Sequence, residues 1–189
     1  MANQVRYFRL TDDINVPNRW YLGDVRNADN WLLASGKALA DPHADLKVEV
    51  YRHGDAMDFT LTEAYGIPIV SSKVKDGLAD LPGVRFLPVT VVGTNLLQSY
   101  FIVLIEYTVD CVDEDASEFE TFSADDPVRP DKAGQYKAFF KLVVDKGKAK
   151  AAGKPVFRLA KFEVAIIVNA DVKGVLDAVG TRGAAMVEV

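Results

Sequence analysis

IVSSKVKDGL (residues 69–78) and IVNADVKGVL (residues 167–176) stand at a constant offset of 98 residues and carry the clearest fold signal in the chain. Each begins as a strand, continues through a polar residue suited to a helix N-cap, and then has the apolar spacing of an amphipathic helix. At an offset of 100, Gly83, Phe86 and Val89 match Gly183, Met186 and Val189. We therefore predict a duplicated strand–helix–strand unit that could pack as a pseudo-symmetric pair. The alternative is a generic likeness, because many such units share caps and apolar spacing.

Alternating or continuous apolar runs predict further strands on both sides of these units. The predicted strands are Tyr7–Leu10, Leu46–Tyr51, Ile67–Val70, Val84–Val92, Tyr100–Val109, Tyr136–Val144, Val156–Val168 and Ala184–Val189. The run 100–109 is the strongest, and the run 156–168 fits one long strand or two short ones. Pro88 predicts an edge position or a bulge within its strand.

Two helices are predicted, from Ser71 or Ser72 to about Leu81 and from Asn169 to about Val179. Residues 25–45 are predicted to be largely loop, with Trp31-Leu32-Leu33 as an anchor into the core. Residues 58–65 fit either a short helix or an extended segment. Many strands and few helices predict an α+β fold, with a mixed, mostly antiparallel sheet and a few peripheral helices.

The chain has 189 residues, of which 49% are hydrophobic, and this is enough for one sizeable core. We therefore predict a single domain over residues 1–189. No apolar run approaches the roughly 20 residues of a membrane helix, and the N-terminus lacks the apolar core of a signal peptide. Cys111 is the only cysteine, which excludes an intramolecular disulfide. We expect a cytoplasmic protein that does not associate with membranes.

Residues 106–126, called the acidic segment below, hold nine carboxylates, and neither lysine nor arginine occurs between Phe86 and Val128. Apolar residues are interleaved with these acids, which predicts that the segment packs on a core and presents carboxylates outward. Residues 1–128 contain 10 basic and 21 acidic residues, whereas residues 129–189 contain 12 and 6. Such clustering favours encounter with an oppositely charged surface. The alternative is an acidic solvated loop beside a basic strand. The acidic balance argues against a nucleic-acid partner.

Residue patterns for catalysis are weak. His43 and His53 have no metal-ligand spacing, and the acids around Cys111 would raise the pKa of its thiol and weaken it as a nucleophile. Residues 110–115 hold several carboxylates, the ligand type that a divalent cation requires, but they lack the pattern of a known calcium loop. We predict no enzyme activity, no metal site and no cofactor. A small enzyme with carboxylates as acid and base, and a self-assembling structural protein, are the alternatives.

Short motifs along the chain, taken in their order, resemble one known family. They are YFRL (7–10), RWYLG (19–23), DFT (58–60) with IPIVS (67–71), VRFLPV (84–89), VDCVD (109–113) with SEF (117–119), RPDKAGQY (129–136) and FRL (157–159). The chain resembles the immunity-protein family of bacterial polymorphic toxin systems that is typified by a myxobacterial protein and was long described as a domain of unknown function. The resemblance runs from Tyr7 to Val189; residues 95–98 and 146–154 look less typical.

The resemblance implies a cytoplasmic protein that binds a cognate toxin protein and neutralises it by occluding the toxin's active site. It implies no catalytic residues, and it leaves a homo-oligomer open. From the charge pattern we predict the following partner-binding residues: Asp113, Glu114, Asp115, Glu118, Phe119, Glu120, Phe122, Asp125 and Asp126. The acids would guide encounter and the two phenylalanines would be apolar anchors. The alternative is that both phenylalanines belong to the core and that Arg129, Lys132 and Lys137 neutralise the acids within the fold.

Overall fold

The computed structural model describes residues 5–37 and 45–189. In these residues the strands are β1 (Tyr7–Asp12), β2 (Tyr21–Leu22), β3 (Lys47–Arg52), β4 (Phe59–Leu61), β5 (Pro68–Ser71), β6 (Val84–Val92), β7 (Tyr100–Ile105), β8 (Thr108–Val109), β9 (Glu118–Thr121), β10 (Tyr136–Lys141), β11 (Val156–Leu159), β12 (Phe162–Asn169) and β13 (Ala184–Glu188). The helices are α1 (Asn30–Ala34), α2 (Ser72–Gly77), α3 (Lys146–Ala152) and α4 (Ala170–Ala178), and a 3₁₀ turn covers Pro130–Lys132.

The strands form two large sheets and a ribbon. One sheet has the order β13-β1-β12-β11-β8, and the other has the order β2-β3-β6-β7-β5-β4. The strands β9 and β10 form a separate two-stranded antiparallel sheet, called the ribbon below. Among the strands of the described residues, β8 pairs in parallel with β11 and β3 with β6, and the other strand pairs are antiparallel. The predicted α+β fold with mostly antiparallel sheets is therefore confirmed.

The two strand–helix–strand units have the same topology. In the first, β5, α2 and β6 follow one another, and β7 lies antiparallel between β5 and β6. In the second, β12, α4 and β13 follow one another, and β1 lies antiparallel between β12 and β13. The two helices contact each other. The predicted repeat is thus present as two equivalent pieces, one in each large sheet.

The pairing register is also the same in both units. Phe101 of β7 lies opposite Val70, and Phe8 of β1 lies opposite Val168. Val70 and Val168 are related by the offset of 98. On the other side of each middle strand the partners agree at the offset of 100. A register shift of one residue would turn every side chain to the opposite face. Equal registers therefore place equivalent residues on equivalent faces.

Three apolar clusters lie on the faces of these sheets. Alternate residues of β7 face different clusters: Ile102 packs in the cluster that contains Leu33 of α1, and Val103 in the cluster that contains Leu176 of α4. Phe157 of β11 belongs to a third cluster, to which the ribbon and α3 contribute. The cluster with Val103 contains residues of both large sheets and of α2 and α4, so it holds the two equivalent units together.

The first predicted helix is shorter than expected. It ends at Gly77 instead of near Leu81, and the Ser71 hydroxyl donates to Asp58 Oδ1 at 2.8 Å instead of capping the helix. A Cβ at Gly77 would lie 3.1 Å from Val179 Cγ1, so glycine permits the approach of the α4 end to α2. The second predicted helix is confirmed, since Asn169 Oδ1 accepts the backbone N–H of Val172 at 3.0 Å.

The strongest predicted strand, residues 100–109, is divided between the two large sheets. The strand β7 ends at Ile105, and β8 pairs instead with β11. Tyr107, between them, covers Gly83, where its ring leaves no room for a Cβ. The strand β6 runs through Pro88 without a bulge, and the predicted edge position is confirmed, because Pro88 pairs with β7 on one side only. Proline fits there because β7 pairs with β6 up to residue 89 while β3 pairs only with residues 90–92.

Two helices, α1 and α3, and two strands, β2 and β9, were not predicted. Residues 30–34 form α1, where a loop was expected; the remainder of the predicted loop includes residues outside the described ranges. Residues 146–152 form α3, which Asp145 caps by accepting the backbone N–H groups of Gly147 and Lys148. The strand β9 lies inside the acidic segment.

Candidate functional site

The acidic segment is fixed to the body of the protein at its start. Cys111 and Val112 are buried, and Val112 pairs with Val144 in an isolated bridge. The Ser117 hydroxyl accepts the backbone N–H of Val143 at 2.9 Å and donates to the Val143 carbonyl at 3.2 Å. These contacts lead directly into β9, so the carboxylates that follow stand on an ordered strand.

Five of the predicted partner-binding acids are exposed: Glu114, Asp115, Glu118, Glu120 and Asp125. Glu114 accepts a hydrogen bond from the Tyr136 hydroxyl at 2.5 Å. Burial, and secondarily this bond, raises the pKa of Tyr136. Across residues 5–37 and 45–189, no lysine or arginine nitrogen lies within 4 Å of the carboxylates of the other four.

The remaining two predicted acids make local structural contacts. Asp113 is half-buried and accepts the backbone N–H of Ala116 at 3.1 Å. Asp126 is buried, accepts the backbone N–H groups of Val128 and Arg129 at 3.0 and 2.8 Å, and lies 3.4 Å from Lys137 Nζ. These backbone N–H groups, with Lys137, lower the pKa of Asp126. Both acids therefore shape the turns that bound β9.

The two predicted phenylalanine anchors have different surroundings. Phe119 is half-buried and stacks edge-on against Tyr136 at 5.0 Å between ring centroids. Phe122 is half-buried, and Lys137 Nζ lies 5.6 Å from its ring centroid. Among the aromatic residues of the ribbon, Phe140 is the most exposed, at 70%. Neighbouring strand residues face opposite sides, so Phe139 turns to the aromatic cluster and Phe140 to solvent.

A cavity of about 760 Å³ adjoins the acidic segment. Four separate parts of the chain line this cavity, called the cleft below: residues 31–35 at α1, 64–65 after β4, 122–137 from the acidic segment to β10, and 161–164 at the turn into β12. Its volume lies within the usual range of ligand-binding cavities, roughly 300–1,000 Å³. Phe122 belongs both to the cleft and to the acidic segment.

The aromatic centre of the cleft is Trp31. Its side chain is 56% exposed, so the expected core anchor is wrong for this residue, while Leu33 is fully buried. The reason is the helix α1, which places these two residues on nearly opposite faces. The Tyr65 ring stands edge-on to the indole at 5.3 Å. Arg129 Cζ and Lys132 Nζ lie 5.7 and 5.4 Å from the indole centroid.

Four cationic side chains line the cleft, against one carboxylate. Lys137 and Lys161 join Arg129 and Lys132, and Glu163 is the acid. The Glu163 carbonyl accepts a hydrogen bond at 2.7 Å from Nη1 of Arg158, a buried side chain of β11. Burial lowers the pKa of that guanidinium to about 10. The cleft is thus a cationic, aromatic concavity beside an acidic surface.

Nucleophilic and metal chemistry find little support in the described residues. Burial, followed by the nearby Asp110 and Asp145, raises the pKa of the Cys111 thiol to about 12, which makes it a poor nucleophile. Within residues 5–37 and 45–189, no three histidine, cysteine or acidic side chains are arranged to hold a metal ion. His53 is exposed, and His43 lies outside the described residues. Lys148 and Lys161 accompany the acids around Asp110 in a separate hollow.

No helix in the part of the chain that the structure describes is long and apolar enough to cross a membrane. A comparison with curated proteins found none that matches the chain. A family model described as "Immunity protein family (Imm11)" matches residues 18–189, which confirms the resemblance inferred from the motifs. Membership suggests a role in immunity to a toxin and implies a toxin partner in general, and such families are generally non-enzymatic. The chain belongs to the immunity protein family Imm11.

Proposed function

We propose that this protein binds a cognate polymorphic toxin in the cytoplasm and neutralises it by covering the toxin's active site, without catalysing a reaction. The family supports a toxin partner in general. The acidic segment supports the choice of surface, since its carboxylates stand together at the ribbon.

The single observation that carries the proposal is the set of exposed acids in and just before β9 that have no cation within 4 Å in the described residues. Asp115, Glu118 and Glu120 are exposed, and in the described ranges no cation lies within 4 Å of them. Acids close together on one surface repel one another, and a basic partner relieves that repulsion. A toxin with a basic substrate groove is the complementary partner, because clustered charge of opposite sign raises the association rate.

Order in this surface also favours binding. The backbone bonds at Asp113 and Asp126 fix the chain before and after β9, and the ring contacts of Phe119 hold the strand on its core-facing side. A surface that is ordered before binding loses less conformational freedom when the complex forms. In the proposed complex Phe122, which lines the cleft, is the apolar contact of the acidic segment.

The test begins with the large protein encoded by the neighbouring gene, whose C-terminal domain is the expected toxin. The toxin domain is titrated with wild-type protein and with an acidic triple variant, Asp115→Asn, Glu118→Gln and Glu120→Gln. We expect stoichiometric inhibition by the wild type and a weaker affinity for the triple variant. Each lost surface contact is worth roughly 0.2–1 kcal/mol before screening by salt.

A matched control removes three exposed acids elsewhere, by Asp76→Asn, Asp80→Asn and Asp171→Asn, on or near α2 and α4. It changes the net charge equally but leaves the ribbon intact, so it should inhibit the toxin as the wild type does. Absence of inhibition by the wild type would overturn the proposed function. Equal weakening by both triple variants would assign the effect to net charge and reject the acidic segment as the contact surface.

A further inference from the structure

The cleft has a charge pattern opposite to that of the acidic segment beside it. Arg129 Cζ and Lys132 Nζ both lie within 6 Å of the indole centroid of Trp31. Asp131 engages Arg129 through two hydrogen bonds, of 2.9 and 2.7 Å. In the described residues, no carboxylate lies within 4 Å of Lys132 Nζ. One ammonium group beside an exposed indole therefore lacks an acidic partner.

Cations that share one ring repel each other, and an anion between them would relieve this repulsion. The cation without an acidic partner is the single ammonium group of Lys132. Its charge of +1 matches one carboxylate better than a ligand group of higher negative charge. Arg129 is less available, since its guanidinium already binds Asp131. The site thus fits a single carboxylate with an apolar neighbour that packs on Trp31.

The residue types and their exposure also fit a protein partner. Trp31 is 56% exposed, and Val164, which also lines the cleft, is 53% exposed. Tryptophan, tyrosine and arginine are the residues that most often dominate binding energy at protein interfaces, and all three types line this cleft. Phe122 joins the cleft to the acidic segment, so one partner can contact both.

We propose that the cleft receives a loop of the toxin that carries a carboxylate beside an apolar or aromatic side chain. This inference rests on the proposed function and adds a second, oppositely charged contact to it. The acidic segment would bind the basic part of the toxin, and the cleft would bind the acidic loop. Alternation of charge across an interface fixes the orientation of the partners and disfavours incorrect ones.

The test measures the affinity for the toxin domain by titration calorimetry with two variants of the cleft. Trp31→Ala removes the exposed indole, and Lys132→Glu reverses the unpaired charge. We expect each to weaken the affinity by roughly tenfold or more, as interface anchors do. Thermal midpoints close to the wild-type value would confirm that both variants fold, which the exposure of Trp31 favours.

Matched controls are Tyr51→Ala, a half-exposed aromatic on β3, and Lys150→Glu, an exposed lysine on α3. Neither lines the cleft, so both should bind as the wild type does. A scan of the toxin's surface carboxylates, each changed to lysine, should find one change that restores binding to the Lys132→Glu variant and weakens binding to the wild type.

Several results would overturn the inference. If the acidic triple variant binds more weakly but Trp31→Ala and Lys132→Glu bind as the wild type does, the proposed function stands and the cleft assignment fails. If the wild type does not bind the toxin domain, both fail. A titration with ATP, a small anion with an aromatic ring, should give no saturable heat; saturable binding that Trp31→Ala abolishes would identify the cleft as a small-molecule site instead.

Discussion

Substitution of two glycines in the connection from α4 to β13 tests how closely this connection approaches β4. Gly180 follows α4 with φ +63°, and Gly183 precedes β13 with φ +97°. Alanine is strained in this left-handed region at both positions. The surroundings differ, however. A Cβ at Gly183 would lie 2.5 Å from the Phe59 carbonyl oxygen and 2.8 Å from Met57 Cβ, whereas no atom lies within 4 Å of a Cβ at Gly180.

The expected magnitudes follow from this difference. Left-handed strain for alanine is roughly 1–2 kcal/mol, and the loss of freedom in the unfolded chain offsets about 0.4–1 kcal/mol of it. Gly180→Ala should therefore destabilise by about 1 kcal/mol. Gly183→Ala adds overpacking against a backbone that cannot retreat easily, since the Phe59 N–H donates to the Arg182 carbonyl at 3.1 Å. Overpacking usually adds roughly 1–3 kcal/mol, which predicts about 2–4 kcal/mol in total.

Urea unfolding of both variants measures these values, with the slope m showing whether the same surface is exposed on unfolding. We expect a clearly lower midpoint for Gly183→Ala at an unchanged m. Two variants that differ by less than about 0.5 kcal/mol, the size typical of a surface change, would refute the close approach of the α4–β13 connection to β4.

Three further predictions concern the core and two titrating groups. Phe157→Ala empties a fully buried site and should destabilise by roughly 3–5 kcal/mol, while Phe140→Ala, 70% exposed, should stay within about 0.5 kcal/mol in the same urea assay. The Cys111 pKa rises from 9.0 to about 12 on folding, so the free energy of unfolding should fall as pH rises between those values. A Cys111→Ala variant should show a smaller fall over the same pH range. A thiol reagent should react with Cys111 at pH 8 only after unfolding. The lowered pKa of Asp126 gives stability that is present above its unfolded pKa and is lost as pH falls through its folded pKa; acid unfolding monitored by circular dichroism should be less steep for Asp126→Asn.

The parts of the fold that could be predicted are those with strong local signals. The helix α4 has a capping Asn169 and apolar positions at helical spacing, and the structure confirms both. The helix α3 was missed because Ala149 is its only buried residue, so no apolar stripe marks it. Asp145 before it and Gly153 after it were the available signals, as N-cap and left-handed C-cap.

The complete repeat could not be predicted because its middle strand occupies a different place in the chain order of each unit. In the first unit β7 follows the helix and the second outer strand. In the second unit β1 stands near the N-terminus, far before β12, α4 and β13. A fixed offset therefore aligns the outer strands and helices but not the middle strands. The sequence Tyr-Phe at the start of both, at Tyr7 and Tyr100, was the remaining signal.

One part of the candidate site could be predicted from the sequence, and the other part could not. The acids of the acidic segment are adjacent in sequence, so their clustering was visible without a structure. The cleft is assembled from four distant ranges of the chain, and only tertiary packing brings Trp31 to Lys132. The cap on α1, Asp29, accepts the backbone N–H of Trp31 at 2.9 Å; read as an N-cap, it would have predicted the helix and the outward position of the indole.

The central claim is that the acidic segment guides the toxin to its binding surface, and the association rate tests this most directly. Stopped-flow mixing of the toxin domain with wild-type protein, the acidic triple variant and the control triple is repeated over a series of salt concentrations. We predict that the triple variant associates more slowly than the other two at low salt and that all three rates converge at high salt, as screening removes the attraction. Equal rates and equal salt dependence for the wild type and the triple variant would contradict the claim.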